Sequence, residues 1–132
     1  RVTWVEDKRF VGQSSSGHGI VVDASSDKLG CSPMELVLIG LAGCTAYDVI
    51  NILKKKRQEV EGLEVEVRGE RAESPPRVYT DLHLEYVVRG REVSTKAVSA
   101  AISLSKDKLC SVSSMLEGTA KITTGFRMVG EG

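Results

Sequence analysis

The sequence predicts an α+β fold, and three stretches carry that expectation. Residues 32–55 are an almost uninterrupted apolar segment with a marked start and a basic end, the pattern of one long helix. Leu63, Val65 and Val67 alternate with Glu64, Glu66 and Arg68, the two-residue period of a half-buried strand. The same period runs through Val78, Thr80, Leu82, Leu84, Tyr86 and Val88. Strands, a long helix, a hairpin, two shorter helices and a last strand make a mixed domain of segregated elements.

Taken in order, residues 2–6 and 10–13 are short β-prone runs about the charged corner Asp7-Lys8-Arg9, and residues 20–23 form a third after the loop 14–19. An antiparallel meander follows from those spacings. A polar, glycine-terminated connection then delivers Cys31 and Ser32 to the helix. Ser32 is the N-cap, Pro33 suits the first helical position, and Glu35 completes a capping box. Lys54, Lys55, Lys56 and Arg57 set positive charge against the C-terminal carbonyls. Its apolar residues fall on nearly every face, which predicts a helix enclosed on all sides. Asp48 and Asn51 interrupt the run and speak against membrane insertion.

The break at Ser74-Pro75-Pro76 turns the next two strands into a hairpin, with His83 on its outward face. Ser94 caps a second helix through Ala97, Val98, Ala101, Ile102 and Ser105, ended by Lys106-Asp107-Lys108. Cys110 and Ser111 open a short helical turn that Gly118 stops, and residues 120–128 are the final strand.

At 132 residues the chain reads as one domain, 1–132, able to bury about two thirds of its unfolded surface without a staple. Its 18 basic and 18 acidic residues cancel, which excludes the usual electrostatic footprints of nucleic-acid and membrane partners. The opening residues lack the pattern of a signal or transit peptide, and three unevenly spaced cysteines make no disulfide framework. The expected location is the reducing cytoplasm.

Chemistry concentrates in the cysteines. Cys110 sits at a helix start beside Lys106 and Lys108, where amide dipoles and ammonium groups favour a thiolate. Cys44 lies among small residues, and Asp48, four positions on, would raise its pKa unless a cation answers it. On local chemistry Cys110 is the more acidic thiol. Cys31 has no such neighbours and reads as a bystander. None of the paired spacings of structural zinc sites occurs, so no metal is expected. The loop 14–19 and His83 read as solvated surface.

Ser32-Pro33-Met34-Glu35-Leu36 leading into Gly43-Cys44, with Leu109-Cys110-Ser111-Val112 ahead of Met115-Leu116-Glu117, resembles the OsmC-like superfamily of osmotically induced and organic-hydroperoxide-resistance proteins. Trp4-Val5-Glu6 and Ser16-Gly17-His18 are similar to one subgroup of it. The resemblance implies an OsmC-like fold of antiparallel sheets wrapped around a long buried central helix, in an intertwined homodimer with active sites at the subunit interface. It implies that Cys44 attacks a small organic hydroperoxide and that Cys110 resolves the sulfenic acid as a disulfide. A dithiol reductant then restores the enzyme, with no metal or organic cofactor. Two departures are visible. Peroxidase members carry a glutamate where this chain has Met34, so Glu35 is the candidate one residue on, and a residue is a rotation of about 100° on a helix. They also use an arginine shortly before the helix, and residues 11–31 contain none, which leaves Arg9, Lys28 or His18 to substitute. The candidate catalytic set is Cys44, Cys110, Glu35 and His18, for thiol-dependent hydroperoxide reduction; the alternative is a non-catalytic stress or small-molecule-binding protein of the same fold.

Overall fold

The computed structural model describes residues 1–130. Its contacts divide into two compact units, residues 1–37 and 38–132. The first holds β1 (Val2–Glu6), β2 (Arg9–Gln13) and β3 (Gly19–Asp23) as the expected antiparallel meander. Asp7, at φ 50, makes the tight β1–β2 corner. Gly17, at φ 88, occupies the left-handed region that glycine adopts most readily in the β2–β3 loop. After β3 the chain is held by Asp23, whose carboxylate accepts from the amides of Ser25 (2.7 Å) and Leu29 (2.9 Å) and from the Arg9 guanidinium (3.0 Å).

The long helix α1 spans Pro33–Lys55 and starts in the first unit. Both halves of the capping box form: Glu35 N–H donates to Ser32 Oγ at 3.2 Å, and Ser32 N–H donates to the Glu35 carboxylate at 2.8 Å. At its C-terminus Arg57 takes a left-handed φ of 60, while the amides of Arg57 and Gln58 donate back to the carbonyls of Lys54 and Leu53. That is a Schellman stop built without glycine.

The second unit contains β4 (Val60–Arg71), β5 (Tyr79–Gly90), α2 (Thr95–Leu104), α3 (Ser111–Leu116) and β6 (Lys121–Val129). β4 and β5 form the expected hairpin, but β6 pairs with β5 in parallel, so this sheet is mixed rather than antiparallel. Leu82, Leu84, Tyr86 and Val88 are buried on one face of β5, as their alternation predicts. The alternation does not extend to the start of β5. A register irregularity at Glu70/Arg71 turns Tyr79 inward, where it is 7% exposed, and leaves Val78 outside at 37%. A Cβ on Gly69 would lie 2.8 Å from the Tyr79 ring, so glycine there makes room for it.

Ser94 caps α2, its Oγ accepting the Ala97 amide at 3.1 Å, and Ala97, Val98, Ala101 and Ile102 are buried. The lysines after α2 do not end it. The chain continues as one π-helical turn, Ser105–Leu109, before Cys110 opens α3.

The expectation of a helix enclosed on every side is not met within a single chain. Within one chain only Leu41, Thr45, Val49 and Leu53 of α1 are buried, one stripe at a spacing of four, while Ile39 is 57% and Tyr47 71% exposed. One chain supplies cover for a single face. By length and composition α1 could also cross a membrane, a test that the core helices of soluble proteins pass as well.

Candidate functional site

The site forms where α1 meets the start of α3. Cys44 is half-buried on α1, immediately before the buried Thr45. Cys110 is 2% exposed and serves as N-cap of α3, its Sγ accepting the Ser113 amide at 3.4 Å and its carbonyl accepting the Ser114 amide. A cap satisfies only some of the open amides at a helix start. The amides of Val112 and Ser111, the Ser111 hydroxyl and the Cys110 thiol lie about the Cys44 sulfur and favour its thiolate, and the Val112 amide acts on Cys110 as well.

These contacts separate two otherwise identical thiols. Burial opposes ionisation of Cys44, but the Val112 amide, the Cys110 thiol and the Ser111 hydroxyl and amide together outweigh it and hold its pKa below the ordinary value. Burial pushes the Cys110 thiol up to about 11, against the Ser113 amide and with the neighbouring Cys44 sulfur opposing a second negative charge. The local reading that favoured Cys110 is thus reversed. The helix start lies beside Cys110 in sequence but is aimed at Cys44 in space, and Lys106 is paired with Asp107 at 3.5 Å.

Among the described residues no cation pairs with Asp48. Its carboxylate accepts from Ser105 Oγ at 2.9 Å, the outer end of a buried chain in which Thr45 Oγ1 lies 2.8 Å from Ser105 Oγ and 2.7 Å from the Tyr86 hydroxyl. Burial raises the Tyr86 phenol, its hydrogen bond with Thr45 opposes that, and nearby Cys110 and Asp48 add to the rise. Sequence reasoning missed this network. The available signal was a set of hydroxyls, Thr45, Tyr86 and Ser105, at positions whose periodicity marks them as core.

The other candidates belong to the first unit. Glu35 is engaged in the capping box, and His18 Nδ1 lies 2.9 Å from Ser16 Oγ in the β2–β3 loop. Arg9 is committed to carboxylates, pairing with Asp23 at 3.0 Å, Asp27 at 2.8 Å and also Glu6. Cys31 is half-buried and free, bridging Val22 at the edge of β3. His83, outward on β5 as expected, shares hydrogen bonds with Thr123 Oγ1 (2.7 Å) and Glu85 Oε1 (3.0 Å). Among the described residues no group of three or more His, Cys, Asp or Glu is arranged to hold a metal ion.

Comparison with known proteins places the chain as a whole. A family model described as OsmC-like protein matches residues 25–125. The chain is 45% identical over 129 residues to protein YhfA of Escherichia coli K12, covering 98% of this chain and 96% of YhfA. The crystal structure of a hypothetical protein from Aquifex aeolicus VF5 matches all of this chain and 96% of its own at 32% identity, with a TM-score of 0.90. The fold extends to the organic hydroperoxide resistance protein OhrB of Bacillus subtilis, 16% identical with a TM-score of 0.65 over 96% of both chains.

Proposed function

The chain belongs to the OsmC-like family, and from that premise we propose that it is a cysteine-based reductase of small organic hydroperoxides, with Cys44 as the attacking and Cys110 as the resolving sulfur. The observation that carries this reading is the Cys44 sulfur itself, held by two helix-start amides and by the thiol of Cys110. A thiolate in that field attacks the peroxide. An S–O bond forms, the O–O bond breaks, and the alkoxide leaves as alcohol after taking one proton. The Cys110 sulfur then attacks the Cys44 sulfenic acid: an S–S bond forms, and the hydroxyl departs as water with the thiol proton. An external dithiol reduces the disulfide by exchange, and the cycle consumes no other reactant.

Consumption of cumene hydroperoxide with dithiothreitol tests the proposal. The wild type should turn over and Cys44→Ser should not; with the dithiol left out, Cys110→Ser should consume one equivalent and hold a sulfenic acid on Cys44. No consumption above the dithiol blank would remove the reading.

A second reading has its own observation. Met34 stands at the family glutamate position and Arg9 is held by three carboxylates, so neither family partner of the thiolate is supplied in the usual way. A non-catalytic OsmC-like protein that binds an apolar small molecule would show binding without peroxide consumption.

We further propose a homodimer, because one chain leaves most of the apolar surface of α1 uncovered. The family match runs from 25 to 125, across both compact units, which supports treating 1–132 as one domain. A cycle restored by a dithiol reductant fits a reducing cytoplasm.

A further inference from the structure

We propose that Asp48, acting through Ser105, is a positioning residue that aims the start of α3 at Cys44. The inference rests on the reading of Cys44 as the reactive sulfur, and it concerns how that sulfur is kept reactive.

Ser105 carries two links at once. Its hydroxyl donates to Asp48 on α1 at 2.9 Å, and its carbonyl accepts the Cys110 amide at 2.8 Å across the π-helical turn. Asp48 lies one helical turn beyond Cys44, and Cys110 is followed by the residues whose amides meet the Cys44 sulfur. Cys44, Asp48, Ser105 and Cys110 therefore close a ring of helix, side-chain hydrogen bond, turn and sulfur contact. A π-helical turn is an uncommon and weakly held geometry, frequent at functional sites. The first residues of this one are tied twice, because Ser113 Oγ on α3 also donates to the Lys106 carbonyl at 3.0 Å.

The direction of the buried protons gives Asp48 its part. Each hydroxyl has one proton to give. Ser105 gives its proton to the carboxylate, so it must accept from Thr45; Thr45 then has none left for Tyr86 and must accept from it. One half-exposed carboxylate orders three buried hydroxyls. Remove the acceptor and the chain reverses, Ser105 giving its proton to Thr45 and Thr45 its own to Tyr86, so the charge-assisted tie to Asp48 is lost at the residue from which the turn to Cys110 begins.

The test is site-resolved alkylation of Cys44 by iodoacetamide against pH, with peptide mass identification and thermal unfolding to confirm folding. Asp48→Ala and Ser105→Ala should raise the Cys44 midpoint by about one unit, about tenfold slower reaction at pH 7. Asp48→Asn keeps an oxygen that accepts from Ser105 and removes a negative charge near the thiolate, so its midpoint should stay at or below the wild-type value. A network that only stabilises the core would lower the melting temperature and leave all midpoints together. The proposal is overturned by an unchanged midpoint in Ser105→Ala, or by Asp48→Asn rising as far as Asp48→Ala. If Asp48→Ala does not fold, Ser105→Ala and Asp48→Asn decide the matter. The readout needs no hydroperoxide, so a failed peroxidase assay and a failed latch are separate results.

Discussion

Cys44 and Cys110 are the same chemical group in two different fields, and the sign of each shift has a consequence in solution. At pH 8 iodoacetamide should label Cys44 well before Cys110, and equal rates would contradict the assignment of the α3 amides to Cys44. Cys110 also predicts a pH dependence of stability. Its folded pKa is raised from 9.0 to about 11, so the folded state keeps a proton that the unfolded chain has released between those values. That contribution is fully present below 9, is lost as pH rises through 11, and is absent from Cys110→Ala. Urea midpoints of the two proteins should therefore converge across that window, and a constant difference would count against the buried thiol. Both cysteines were legible as chemistry in the sequence, but their order was not. A capping sulfur takes the amide three residues on, and which group receives the first two amides depends on a helix about 66 residues away in the chain.

The elements divide by how local their causes are. Both ends of α1 and the meander were readable because caps, corner residues and two-residue alternation act within a few positions. The parallel β5–β6 pair, the inward turn of Tyr79 and the π-helical turn were not, since each is decided by a partner strand or by side chains distant in sequence. The capping box gives a direct check at this scale. Glu35→Ala should cost about 1 kcal/mol of stability in urea unfolding, and Glu35→Gln, which can still accept from the Ser32 amide, much less. Should Glu35→Ala instead leave stability untouched and abolish hydroperoxide turnover, its carboxylate belongs to the chemistry rather than to the cap. Asp23 provides a second check. The Ser25 hydroxyl, the amides of Leu29 and Ser25 and the Arg9 guanidinium hold its carboxyl well below the usual carboxylate range, against the cost of burial. A depressed pKa stabilises the fold above the unfolded value and is lost as pH falls. Asp23→Asn should flatten the acid limb of the stability curve, and an unchanged limb would show that the first unit is held by other means.

At the scale of the molecule, an apolar helix with one covered face demands a second source of cover. The chain should sediment as a dimer at about 1 μM, and Tyr47→Glu, which places a charge on the open face of α1, should weaken it. A wild-type monomer at that concentration would overturn the dimer. The two cysteines bear the larger claim, because they alone connect the fold to a reaction. One equivalent of an organic hydroperoxide, followed by unreduced digestion with trypsin and a glutamate-specific protease, tests it most directly. Trypsin alone leaves Cys31 and Cys44 in one peptide, and cleavage after Glu35 separates them. The account predicts a disulfide joining residues 36–54, which contain Cys44, to residues 109–117, which contain Cys110, with Cys31 free. A link between Cys31 and Cys110, or both Cys44 and Cys110 recovered as unmodified thiols, would contradict it.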